Sequence, residues 1–223
     1  MFNLIHHDFP KITRIDSPKG RVYACPSSKG IVSYPSVTSV LSCDPEKEKI
    51  LESWKSKVGE KEAAKISKKA AARGTRLHSL VENYLLGKPC KADLMDIEIW
   101  NPMRKVLEAK VNNIHAIEQS MFSEMLEVAG TVDLIAEYEG ILSIIDIKTS
   151  ARIKYNCDIP HYFEQCAVYS FMFEELMGIK AKRLQIIMGC DESNQTLLFD
   201  NSDRKIHLKN FMKKRKAYEK IAA

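Results

Sequence analysis

The segment that most constrains this 223-residue chain is 130–150, where Asp133, Asp146 and Lys148 interrupt what otherwise reads as a buried β-hairpin. Residues 131–138 and 141–148 are dominated by β-branched and apolar side chains, and Glu139-Gly140 between them is the short connection that closes hairpins. With a two-residue loop Tyr138 faces Ile141, and counting outward puts Asp133 opposite Asp146. Cross-strand neighbours have Cβ atoms roughly 5 Å apart, where like charges are destabilising. Lys148, two residues beyond Asp146, points to the same face because side chains alternate along a strand. Two carboxylates and an ammonium therefore converge. The acids are tolerated together if one is protonated or if a hard cation lies between them, and a divalent metal is the simpler answer at neutral pH. The hairpin alone equally admits an ordinary salt bridge from Asp133 to Lys148 on a solvent-facing side, with Asp146 exposed beside it.

The rest of the chain sets this hairpin in context. Hydrophobic residues make up 45% and charged residues 28%, enough for a proper core in one domain. That domain divides into N-terminal strands and turns (1–45), a helical segment (46–92), a core carrying the hairpin (93–200) and a basic C-terminal helix (204–223). The net charge of +5 permits a polyanionic partner without demanding one. Cysteines 25, 43, 90, 157, 166 and 190 show no CxxC pair, so neither a zinc site nor a disulfide framework is indicated. No apolar run approaches membrane-spanning length and residues 1–10 resemble no targeting segment, so no membrane association is expected. A cytoplasmic location is expected, the host cytoplasm if the chain is viral.

In chain order, short strands are expected at 12–15, 22–24 and 31–34. Ser36 then caps a short helix from Val37; Ser36 and Thr38 serve that cap, or sit where a helix N-terminus can hold a phosphate. A helix over 46–58 carries Ile50, Leu51 and Trp54 at core spacing. Residues 61–73 present a basic face ending at Arg73. Gly74 breaks the helical pattern and Thr75 caps the next helix, on which His78 and Glu82 share a face beside the apolar stripe. A helix over 93–112, a strand over 114–122 continued by 124–128, a helix over 162–177 with Gln165 and Tyr169 four apart, two strands and a basic final helix complete the chain. The last helix, with Lys209, Lys213, Lys214, Arg215, Lys216 and Lys220, is a phosphate-tracking surface or a solubilising one.

Gly74-Thr75-x-x-His78-x-x-x-Glu82, Gly130-x-x-Asp133, Asp146-Ile147-Lys148-Thr149 and Gln165-x-x-x-Tyr169, in this order, resemble the RecB-like branch of the PD-(D/E)XK nuclease superfamily. Tyr-Pro-Ser-Val-Thr at 34–38 and Ala-Gly-Thr-Val-Asp at 129–133 look most like its mitochondrial genome maintenance and related phage exonucleases. The resemblance implies an α/β (mixed α+β) fold with a restriction-endonuclease-like core, a central mixed sheet flanked by helices. It implies that Asp133, Asp146, the Ile147 carbonyl and His78 hold Mg²⁺, with Mn²⁺ an alternative, and that Lys148 positions or helps deprotonate the attacking water. Gln165 and Tyr169 lie beside the site, and Glu82 supports it. Ser36, Thr38, Arg73 and Thr149 are further candidates for nucleic-acid contact or support. The implied activity is hydrolysis of DNA phosphodiester bonds by an exonuclease, on single strands or ends, in replication, recombination or repair. It would act as a monomer, with a replication or recombination protein as a possible partner. The alternatives are a structure-specific endonuclease of the same fold or a non-catalytic nucleic-acid-binding module. Val132 stands where the superfamily has its name-giving proline. The closely spaced cysteines of iron–sulfur relatives are missing, so no cluster is expected.

Overall fold

Glu139 and Gly140 both have positive φ (51° and 77°), the turn geometry that matches the twist of two flanking strands. They join β5 (Val128–Tyr138) to β6 (Ile141–Ser150), with Tyr138 opposite Ile141 as the two-residue loop requires. The computed structural model describes residues 2–17, 20–28 and 30–222, with no side chains described at 45–47 and 222. The β5–β6 ladder runs to Leu134 opposite Ile145 and stops one pair short of the two acids. Beyond that point β5 stays paired with β4 (Val111–Ser123), while β6 runs parallel to β7 (Arg183–Cys190), which pairs in turn with β8 (Gln195–Asn201). The result is a five-stranded mixed sheet, β4-β5-β6-β7-β8, opened at its centre where Asp133 and Asp146 sit.

Alternation along β6 sorts side chains to two cores. Ile144 packs with Val37, Phe163, Val168 and Phe211, from α1 (Val37–Ser42), α5 (Pro160–Met177) and α6 (Arg204–Ala222). Ile145 and Ile147 pack on the other face with Leu77, Trp100 and Met103, from α3 (Glu60–Leu85) and α4 (Ile97–Lys110). Asp146 and Lys148 share the parity of Ile144 and so face α5. Helices thus flank a central mixed sheet, the α/β arrangement expected, and α5 is the crossover that a parallel β6–β7 pair requires. A separate antiparallel sheet, β1 (Thr13–Ser17), β2 (Gly20–Ser27) and β3 (Gly30–Pro35), packs Tyr23, Cys25 and Tyr34 against Phe122 and Ala129.

Three local expectations fail for physical reasons. Gly74-Thr75 does not divide two helices: α3 runs unbroken for 26 residues, and Thr75 Oγ1 donates to the Ala71 carbonyl (3.1 Å) instead of capping. Residues 124–127 form a turn, not a continued strand, because Ser123 and Glu175 side chains take the amides of Leu126, Glu124 and Met125. The described side chains of helix α2 (Pro45–Val58) contribute nothing to the three buried clusters, and Ile50 is 69% exposed. Ser36 does cap α1, accepting from the Ser39 amide at 2.9 Å. No helix among the described residues is long and apolar enough to cross a membrane.

Candidate active site

Where the hairpin ladder stops, side chains replace it. The Ile147 amide donates to Asp133 Oδ2 (2.7 Å), so Asp133 holds the parting strands together and its carboxylate is fixed, 10% exposed. Asp146, 2% exposed, accepts from Lys148 Nζ (2.6 Å) and from Gln165 Nε2 (3.0 Å), both through Oδ1. Its Oδ2 is buried and has no hydrogen-bond partner among the described residues. Burial pushes the Asp146 carboxyl above its ordinary range; Lys148 opposes this and the charge of Asp133 adds to it. Burial pushes the Lys148 ammonium down, but the charges of Asp146 and Asp133 outweigh it and move the group upward. Lys148 therefore stays an ammonium, with Nζ 5.2 Å from the Tyr162 ring centre. The solvent-facing alternative fails on both counts, since Asp146 is buried and is itself the partner of Lys148.

Helix α3 brings in His78. Its Nε2 lies 3.0 Å from the Ile147 carbonyl and its Nδ1 3.1 Å from Glu118 Oε1 and 3.7 Å from Asp133 Oδ1. Burial lowers the imidazole pKa, but the Glu118 hydrogen bond and the Asp133 charge prevail and carry it to about 9. As an imidazolium it donates from both nitrogens, to Glu118 and to the Ile147 carbonyl. One proton thus sits among the oxygens that a divalent cation would otherwise gather.

Glu118 escaped sequence reasoning. It lies on β4 between Ile117, opposite Leu134, and Gln119, opposite Val132, which sets it beside Asp133. Two register shifts earlier in β4 and a left-handed backbone at Glu118 (φ 45°) break the alternation by which sequence could have found it. One ligand atom each from His78, Glu118 and Asp133 lie within 4.8 Å of one another. This mixed N/O set, with the Ile147 carbonyl 3.0 Å from His78 Nε2, suits a hard to borderline divalent cation such as Mg²⁺ or Mn²⁺.

His78, Glu118, Asp133 and Lys148 line a cleft of about 560 Å³ whose walls also include Glu82, Gln165, Tyr169, Ser36 and Thr38, with Asp146 buried behind Lys148 and Gln165. Tyr169 is buried and crosses β5 at Gly130, where an added Cβ would meet its hydroxyl at 2.7 Å; only glycine fits. Ser36 Oγ lies 3.0 Å from Thr38 Oγ1, so both hydroxyls serve the α1 cap while lining the cleft. Thr149, opposite Gly189 in β7, does not line it. Arg73 pairs with Asp191 in a second cavity and is not brought to the cleft. On α6, Lys214 is taken by Glu164 (2.8 Å) and Asp44 (3.5 Å), Arg215 by Glu219 and Glu127, and Arg204 by Glu174, so three of its eight cations anchor the helix. Arg14 and Arg21, unremarked in the sequence, do line the cleft.

The arrangement is that of a candidate metal centre with a charged lysine at its edge, on a mixed α/β fold. Over 130 residues, 54% of this chain, the sequence is 30% identical to human mitochondrial genome maintenance exonuclease 1, and over 134 residues, 55% of the chain, 30% identical to the mouse protein. The match spans 38% of the length of each of these relatives. No protein-family model matches the chain. The crystal structure of SSO0001 aligns over 82% of this chain and 75% of its own at 15% identity, and its TM-score of 0.39 is too low to bear on fold or function. The chain is thus a relative of an exonuclease over about half its length.

Proposed function

We propose that the protein is a divalent-metal-dependent DNA nuclease, an exonuclease working on single strands or ends. The observation that carries the reading is the cluster of His78, Glu118 and Asp133, together with a buried Asp146 whose Oδ2 has no hydrogen-bond partner among the described residues. A carboxylate oxygen buried without a donor costs free energy unless a cation or proton satisfies it. Similarity to an exonuclease supports the same chemistry. Asp133, Asp146, His78, Glu118 and the Ile147 carbonyl would hold the ion, which when bound makes water nucleophilic near neutral pH and offsets phosphate charge. As a ligand His78 would be neutral, with one ring nitrogen toward the ion and the other still carrying its hydrogen. Lys148, held against Asp146, is the group that orients the attacking oxygen or helps deprotonate it. Gln165 holds Asp146 through Oδ1, which leaves Oδ2 free to take a ligand. Mg²⁺ is the ion we favour, with Mn²⁺ tolerated through the imidazole.

The test compares linear with covalently circular single-stranded DNA in Mg²⁺, with each end of the linear strand blocked in turn. Loss of the linear strand alone, stopped by EDTA, is expected. Cutting of the circle would replace the exonuclease reading with an endonuclease of the same fold. Binding with no cleavage in either Mg²⁺ or Mn²⁺ would make the chain a nucleic-acid-binding module.

A further inference from the structure

The wall of the cleft across from the acids belongs to the small N-terminal sheet. In its antiparallel register Arg14 pairs with Tyr23 and Asp16 with Arg21, so all four side chains share one face. Tyr23 fixes that face in place: it is 1% exposed, packs with Phe122 and Ala129, and sets its hydroxyl 3.3 Å from Thr131 Oγ1, two residues before Asp133. Both arginines line the same cleft as Asp133 and Lys148. A single carboxylate serves them both. Arg14 Nε donates to Asp16 Oδ2 (2.9 Å) and its terminal nitrogen to Oδ1 (3.2 Å), while Arg21 Nε donates to Oδ1 (3.1 Å). Two guanidiniums against one carboxylate leave this wall positive.

All three side chains remain well exposed, at 48%, 60% and 37% for Arg14, Asp16 and Arg21. Exposed ion pairs of this kind contribute little net stability and exchange readily with other anions. Guanidinium forks match phosphate oxygens in geometry as well as charge. An anion reaching this wall while its reacting group lies among the acids opposite must be extended and carry repeated charges, which is the form of a nucleic-acid backbone.

We propose that Arg14 and Arg21 form a subsite for a DNA backbone phosphate neighbouring the reacting one, with Asp16 as a resident anion that the phosphate displaces. The proposal rests on the nuclease reading, and binding without catalysis separates the two. The probe is a fluorescently labelled thymidine 12-mer titrated with the full chain in EDTA and read by anisotropy across a salt series. Arg14→Ala with Arg21→Ala is expected to weaken binding by about 10-fold or more at low salt and to reduce the log–log salt slope by about 1.4, two contacts at roughly 0.7 each. Asp16→Asn is expected to tighten binding several-fold, a gain that neither misfolding nor loss of a purely structural ion pair can produce. Arg104→Ala, on α4 and outside the cleft, serves as the control and should leave affinity unchanged. A double variant that binds as wild type does, or an Asp16→Asn variant that binds no more tightly, overturns the subsite. A wild-type chain that binds no DNA overturns the nuclease reading itself.

Discussion

Helix α3 separates two cavities that are built from similar residues and differ in how charge is balanced. Residues 74, 75, 78, 79 and 82 face the candidate cleft, and residues 66, 69, 70, 73 and 76, on the opposite side of the helix, face a second cavity of about 360 Å³. In the second cavity acids and bases are matched: Arg76 donates to both oxygens of the buried Asp96 (2.6 and 3.0 Å) and Arg73 pairs with Asp191. Arg73 Nε is the one buried side-chain polar atom left over there among the described residues. At the cleft, Asp133 and Glu118 and the buried Asp146 behind them share Lys148 and His78, and the atom left over among the described residues is a carboxyl oxygen, Asp146 Oδ2. Matched pairs hold a fold together, whereas a surplus of buried carboxylate demands a further cation. That surplus distinguishes a reactive site from a cavity that is merely polar.

The sharpest way to break the comparison is Asp146→Asn, which removes the surplus oxygen's charge while keeping its shape. Cleavage should fall by about 10³-fold or more, equivalent to ~4 kcal/mol of barrier, while DNA binding in EDTA is nearly unchanged. Cleavage at the wild-type rate would sink the metal assignment. Gly130→Ala drives a Cβ into Tyr169 and should cost about 1–3 kcal/mol in a denaturant melt. Adding Tyr169→Phe, which deletes the nearest atom, should recover part of that loss.

The protons in the cleft give the comparison a pH signature. His78 is raised to about 9 in the folded chain, so its stabilising contribution is complete below its unfolded value near 6.5 and is lost as pH climbs through about 9. Asp146 is raised too, so it likewise favours folding at the acid end and loses that contribution with rising pH. An ion competing for the same atoms must therefore bind more tightly as pH rises. Thermal shift with Mn²⁺ should grow from pH 6.5 to 8.5, and a shift flat across that range would remove His78 from the ligand set.

On the other side of α3, Asp96→Asn should lower the melting temperature while leaving cleavage per folded molecule unchanged. Activity lost in step with the cleft variants would erase the distinction between the two cavities. The smallest effect belongs to Thr75→Ala. Because Thr75 lies inside the helix and not at its start, the melt should move by less than about 0.5 kcal/mol, where loss of a cap would cost about 1.

Which parts of this were legible in the sequence follows from the range of the interactions involved. The β5–β6 register could be counted because a two-residue turn with positive φ at Glu139 and Gly140 and the two-residue period of a strand are both local. The Ser36 cap and the end of α5 at Met177 were legible for the same reason: each is decided by a few neighbouring residues. Thr75 misled because a hydroxyl that caps one helix can satisfy itself inside another, and the choice depends on whether packing of Leu77, Leu80 and Val81 carries the helix through. Ile50 and Leu51 misled because helical spacing shows that a face is apolar, not that anything covers it.

By itself, then, the sequence determined the hairpin and its register, the helix that carries His78 and the acids, lysine, glutamine and tyrosine that could serve one site. Only the tertiary structure decided that the ladder opens at Asp133, that Asp146 is buried with one oxygen unpartnered, and that Glu118, Arg14 and Arg21 join the cleft while Arg73 is turned away. Register and capping depend on bonds between near neighbours along the chain. Burial, surplus charge and the meeting of β4, α3 and the small sheet depend on which surfaces pack together, and no local pattern encodes that.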